Sequence, residues 1–191
     1  MATIAHKGGY TARPGAGTTT TTATATTGAA TKAARYVFAG VRIALGWVFL
    51  WAFLDKTFGL GHETASKAAW INGGHPTQGF LKFAAKGPFK DFYNGIAGSA
   101  WADWLFMAGL LGIGLALILG VGMRLAAATG ALLLVLMWTA VLPPENNVFM
   151  DDHLIYAGTI VGLALMGAGD TFGLGKWWGE TALVRRAPWL K

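Results

Sequence analysis

Tyr36–Leu54 reads YVFAGVRIALGWVFLWAFL, an apolar run interrupted by one charge, Arg42. A helix rises about 1.5 Å per residue, so about 20 apolar residues cross the hydrocarbon core of a bilayer. This run comes close to that length. Two more follow, Trp104–Val121 and Leu125–Leu142, and then a shorter one, Leu154–Ala168. The pattern predicts an all-α polytopic membrane protein built as a bundle of four transmembrane helices. The fourth is expected to use its flanking residues at the interfaces.

Composition supports a bilayer environment. Apolar residues make up 54% of the 191 residues and charged residues 13%, about half the charged share of a soluble domain. The net charge is +6, but the basic residues gather at the termini. No basic stripe with interleaved aromatics is present, so nucleic acid is not expected as a partner. The absence of cysteine excludes disulfides, thiolate metal sites, CxxC redox chemistry and CxxCH haem attachment on this chain.

Low-complexity Thr/Ala/Gly sequence fills residues 14–34 without a periodic apolar face. Such a segment does not offset its own ordering entropy, so 1–34 is expected to be a disordered cytoplasmic tail. Because it is polar, the first apolar helix is expected to direct insertion and stay. Residues 35–175 form the membrane domain, and 176–191 a basic cytoplasmic segment.

Within the membrane domain, 55–100 is too long for a turn. Gly73-Gly74-His75-Pro76, Gly87-Pro88 and Gly95 break any continuous helix there. Amphipathic pieces lie between the breaks, at Thr77–Ala85 and Pro88–Asn94, with Pro76 and Pro88 suited to first helical turns. This aromatic-rich loop is expected to be an ordered extracytoplasmic cap. Gly122-Met123-Arg124 is so short a link that the second and third spans must form an antiparallel hairpin.

Small residues recur every fourth position at Ala108, Gly112, Ala116 and Gly120, at Ala126 and Gly130, and at Gly158 and Gly162. They suit close helix packing within the chain or a homo-oligomer face. Nine Lys/Arg lie in the terminal segments and the short link, against Asp170 and Glu180; the opposite side holds five lysines and seven acids. The positive-inside rule then places both termini in the cytoplasm.

Polar groups inside the spans are few. A guanidinium such as Arg42 costs at least ~2.5 kcal/mol to insert, so it must snorkel, face a wet cavity or pair. Asp55-Lys56 ends the first span and Asp151-Asp152-His153 opens the fourth. If those helices are neighbours, acids, a lysine and an imidazole meet at one depth. One reading is a helix-capping Asp with solvated neighbours. The other is a proton-handling site, with Asp55, Asp152 and His153 as catalytic groups. Reducing a quinone takes two electrons and two protons, which such a cluster suits. Trp47, Trp51, Trp101, Trp104 and Trp138 load the same side. They read as an interfacial belt or as an apolar slot for a quinone ring, with Arg42, Lys56, Trp47, Trp51 and Trp138 as its contacts. Trp177-Trp178 read as the cytoplasmic belt. His6, His62 and His75 lie in the tail or loop, so bis-histidine haem ligation across two spans is not available. No metal-spacing motif, phosphate loop, flavin site or nucleophile elbow is evident.

Three runs together carry a family resemblance. They are Arg42-x-x-Leu45-Gly46-Trp47-x-Phe49-Leu50-x-x-x-x-Asp55-Lys56, Ala69-Trp70-Ile71-Asn72-Gly73-Gly74-His75-Pro76-Thr77-x-Gly79-Phe80-Leu81, and Asn146-Asn147-x-Phe149-x-Asp151-Asp152-His153. Over about residues 35–190 the chain resembles the DoxX/DoxD-like membrane proteins, which include the DoxD subunit of thiosulfate:quinone oxidoreductase. The resemblance implies sulfur or thiol redox linked to the quinone pool in a prokaryotic plasma membrane. It also implies a partner subunit, DoxA-like or other, because that domain is absent from this chain. A non-catalytic anchor or scaffold for a partner redox enzyme is the alternative. Small-solute transport fits less well, since the spans carry few polar groups to line a path.

Overall fold

The computed structural model describes residues 20–191, with side chains from Thr31 onward. The chain divides into two compact units, Met1–Ala34 and Arg35–Lys191. Most of the expected disordered tail, Met1–Thr19, lies outside the described residues. The rest of it is helical, because α1 spans Thr20–Phe58. Alanine is the strongest helix former, and a helix propagates readily once nucleated, so low complexity alone did not mark its start. Gly59, at φ +64°, ends α1 in a left-handed conformation.

The described residues are all-helical, without strands. After α1 come short turns of 3-10 helix, a π-helical turn at Phe80–Ala84, and α2 at Lys90–Ile96. Then follow α3 at Ala100–Leu119, α4 at Met123–Ala140 and α5 at Asp152–Leu165. Two short helices close the chain, α6 at Gly175–Glu180 and α7 at Ala182–Arg186. Thr31–Phe58 of α1, together with α3 and α4, is long and apolar enough to cross a bilayer. The α5 helix is apolar but has 14 residues, about 21 Å against a hydrocarbon core of about 30 Å.

One core joins four helices. It is built from Leu45 and Phe49 of α1, Met107, Ile113 and Leu117 of α3, Leu134 of α4, and Ile160 and Leu163 of α5, among others. Glycines set the close approaches. A Cβ on Gly46 would fall 2.8 Å from Ile118 Cγ1, and one on Gly114 would fall 2.9 Å from the Leu50 nitrogen. At Gly130 the same atom would meet Ile113 and Ile160, each at 3.4 Å. By contrast Gly112, Gly158 and Gly162 face open space. Large apolar side chains point outward, with Leu105 69% and Leu165 84% exposed. Lipid matches such a surface; water would not.

The segment between α1 and α3 packs on the C-terminal end of α4. Lys86 N donates to Ala140 O at 2.9 Å, and the Tyr93 hydroxyl bonds Leu136 O at 2.9 Å and Thr139 Oγ1 at 2.5 Å. Lys86 Nζ lies 3.7 Å from Glu145. The loops before α3 and after α4 therefore share one end of the bundle. At the opposite end, Leu174 N donates to Leu119 O, and Arg124 bonds Pro188 O at 3.0 Å.

Candidate functional site

Asp103 lies in the first turn of α3 and is 2% exposed. A carboxylate buried that deeply needs partners. Thr77 supplies two, its backbone N–H at 3.0 Å and its hydroxyl at 2.6 Å, both onto Oδ1. His75 Nδ1 lies 2.8 Å from Oδ2. Pro76 stands between the two donors, and its fixed φ helps present both to one carboxylate. The His75 side chain is 48% exposed. Its ring therefore joins a buried acid to the outer edge of the loop. With Nδ1–H donated to the carboxylate, Nε2 is the ring's acceptor nitrogen.

A second histidine–carboxylate pair opens α5. Asp151 caps the helix, accepting Leu154 N at 3.3 Å on Oδ1, while its Oδ2 lies 2.7 Å from His153 Nδ1. Asp152 Oδ1 is farther from that nitrogen, at 3.6 Å, and its side chain is 68% exposed. Ligand atoms of Asp151, Asp152 and His153 fall within 4.8 Å of one another. The cap and the Asp151–His153 bond account for that grouping without an ion.

A cavity of about 230 Å³ lies under the loop between α1 and α3. Phe80, Phe92, Tyr93 and Trp101 line it, with Leu105 and Phe106 of α3 and Leu133 and Leu136 of α4. Thr77, which holds Asp103, is in its wall. So is Phe80, whose ring centre lies 6.5 Å from that of His153. None of His75, Asp103, Asp151 and His153 lines this chamber; Thr77 separates it from the first pair and Phe80 from the second.

The residues expected from sequence to form the site are spread out. Asp55 is 2% exposed and accepts the backbone N–H groups of His62 at 3.3 Å and Glu63 at 3.1 Å, so it ties the loop after α1 to that helix. It does not bond His153, whose partner is Asp151. The short bond to His153 comes from Asp151, the N-cap residue two positions before it, with Asp152 farther away at 3.6 Å. Lys56 is half-buried and forms no ion pair among the described residues.

Arg42 lies thirteen residues before Asp55 on α1, about 20 Å along the axis, and belongs to the opposite end. It is fully buried and donates to the carbonyls of Leu117 (2.6 Å), Ile118 (3.2 Å), Thr171 (3.3 Å) and Phe172 (2.8 Å). The first two are unpaired carbonyls at the C-terminus of α3, where the helix dipole favours a cation. Arg42 therefore neither snorkels nor reaches the cavity. It staples α1 to the end of α3 and to the chain just past α5.

Trp47 and Trp51 pack on each other at 5.8 Å, and Trp51 meets the His62 ring at 5.2 Å. Trp47 is 51% exposed, as a belt residue would be. Trp138 donates its indole N–H to Phe149 O at 2.6 Å, holding the loop between α4 and α5. None of the three lines the cavity.

No family model matches this chain, and no curated protein or solved structure matches it either.

Asp103, His75, Thr77, Phe80 and Tyr93 were not anticipated as a site. A signal existed for Asp103. It sits between Trp101 and Trp104, three residues into a helix of spanning length, where an acid must find a partner. Nothing in the sequence pointed to which loop residue would supply one.

Proposed function

We propose that this chain is the DoxX/DoxD-type membrane subunit of a quinone-linked oxidoreductase, coupling thiosulfate or thiol oxidation to quinone reduction. The observation that carries this reading is the apolar cavity whose wall holds Thr77, bonded to Asp103 of the His75 pair, and Phe80, beside the His153 ring. A quinone ring is planar and apolar with two carbonyl oxygens. Reduction to the quinol adds two electrons and two protons. The electrons come from thiosulfate or a thiol, oxidised by a partner subunit, DoxA-like or other. Each protonated imidazole gives one proton to a reduced quinone oxygen and returns to the neutral form, with its Nδ1–H held on the carboxylate. The exposed edge of His75 reloads from water.

In this reading α5 is the fourth span, its short apolar length extended at both ends by interfacial residues. The loop between α1 and α3 is an extracytoplasmic cap, and both termini are cytoplasmic in a prokaryotic plasma membrane, as the charge bias favours. The alternative, a non-catalytic anchor for a redox enzyme, has one observation in its favour: the open small-residue face at Gly158 and Gly162.

The test uses membranes holding the chain with its native partners, thiosulfate or a thiol as donor, and a soluble short-chain quinone. Substituting His75→Gln or His153→Gln should each slow turnover at least tenfold, and the double variant should abolish it, with the amount of folded protein unchanged. Full turnover in the double variant would leave only the anchor reading.

A further inference from the structure

We propose that the segment from Phe80 to Phe92 lies in the plane of the membrane surface and binds anionic lipids. Its outward phenylalanines sit among acyl chains, and Lys82 and Lys90 meet the headgroup phosphates. This does not depend on the quinone reading above. The segment is held at the edge of the bilayer, because Lys86 N donates to the carbonyl of Ala140, the last residue of α4. That helix is long and apolar enough to cross. Trp101 and Trp104, 59% and 65% exposed in the first two turns of α3, mark the same end. Exposed tryptophans gather where hydrocarbon meets headgroups.

The segment divides its own side chains. Phe80, Leu81 and Ala85 pack with Tyr93 and Ile96 of α2 against Ala140. Phe83, Phe89 and Phe92 do not join them; they are 81%, 46% and 61% exposed. Apolar exposure concentrated in so short a stretch marks a surface that meets protein or lipid. Continuity decides between the two. Phe92 borders the same cavity as Leu105 of α3 and Leu136 of α4, themselves 69% and 45% exposed on spanning helices. Lipid that covers those leucines already reaches Phe92.

Charge selects the lipid. Lys82 precedes Phe83 and Lys90 follows Phe89, and all four are exposed. Two outward rings thus each have an ammonium beside them in sequence. The long aliphatic stem of lysine lets the charge stay at phosphate level while the neighbouring ring goes deeper. Neither Lys82 nor Lys90 forms an ion pair among the described residues; Lys86 does, with Glu145 at 3.7 Å. Asp91 is the one acid of the segment against these three lysines, so the face stays positive. Aromatic side chains interleaved with lysines lie in the interface and favour anionic headgroups.

The chain has no cysteine, so Ala84→Cys, at an exposed position beside Phe83, carries a single environment-sensitive fluorophore. Full-length protein in phosphatidylcholine nanodiscs receives a small fraction of phosphatidylglycerol or of phosphatidylcholine, each with a nitroxide high on its acyl chain. Both lipids should quench the label, and iodide in the water should not. Phosphatidylglycerol should quench at least about fivefold more effectively per mole, the factor that one lysine near an anionic surface contributes. High salt should weaken that preference. Lys82→Gln and Lys90→Gln together should bring it below twofold. Pro88→Cys, exposed in the same segment, carries the label if the first position disturbs the turn.

Free quenching by iodide with none by either lipid would overturn the proposal and leave the phenylalanines as a docking face for a partner protein. Equal quenching by the two lipids would overturn the choice of anionic headgroups. So would a preference that survives in the double lysine variant.

Discussion

Asp103 offers the sharpest single perturbation, because two substitutions there separate stability from chemistry. In Asp103→Ala the Thr77 N–H and hydroxyl and the His75 Nδ1–H lose their acceptor. Hydrogen bonds to a charged group contribute about 1.5–3 kcal/mol each. The His75 bond counts for less, since that ring is 48% exposed and water can replace the carboxylate. The two Thr77 bonds are buried and dominate, giving a loss of about 3–5 kcal/mol. Asp103→Asn keeps an oxygen facing both Thr77 donors and loses mainly the charge, about 1–2 kcal/mol. On the scale of soluble domains of this size, 1 kcal/mol moves Tm by about 2–4 °C. The asparagine variant should therefore melt about 2–8 °C below wild type in mild detergent, and the alanine variant about 6–20 °C below. Chemistry should run the other way. The asparagine amide donates, so it turns Nδ1 into an acceptor and puts the proton on Nε2. The stable variant should then lose about 10²-fold or more in quinone-linked turnover. Equal melting temperatures for the two variants, or an active Asp103→Asn, would refute the reasoning.

Two further predictions concern the frame. Arg42→Met leaves four carbonyls without their donor, about 4–6 kcal/mol at a net 1–1.5 each, and removes a burial cost of about 2.5–3.5 kcal/mol. A net loss of about 1–3 kcal/mol should appear in detergent melting, with Kd for a tailless quinone unchanged; weakened binding would mean that Arg42 acts at the cavity. Cysteines placed singly at Lys86, Asn146 and Ala187 should divide with an impermeant thiol reagent on intact cells. The first two should label and the third should not; labelling of Ala187→Cys would contradict the proposed orientation or the fourth crossing.

The spanning helices were legible because an unbroken apolar run needs no partner to be recognised. Their edges were less so. Threonine and alanine at 20–34 read as low complexity, yet they continue α1. The breaks in the loop were well marked by glycine and proline, and helical pieces do lie between them, at Phe80–Ala84 and Lys90–Ile96. Partner choice was the hidden part. Asp55 and His153 looked suited to meet because both border spans, but each is satisfied by close sequence neighbours, His62 and Glu63 for one and Asp151 for the other. His75 and Asp103 are 28 positions apart. Their pairing depends on how the intervening loop folds onto α4, which no local pattern encodes. Arg42 was correctly marked as needing a solution, though not which one: its four acceptors come from the ends of two other segments.

The most direct test of the ring site is covalent capture. A photoreactive quinone analogue is added to the full-length protein in native-like membranes, irradiated, and its attachment points mapped by peptide mass spectrometry. Labelling should concentrate in residues 77–106 and 133–137, with Phe80, Tyr93, Trp101 and Leu105 among the modified positions, and excess unlabelled quinone should suppress it. Labelling that is not suppressed, or that falls on α1, on α5 beyond its first turn or on the segment after Leu165, would contradict a quinone site beside Thr77 and Phe80.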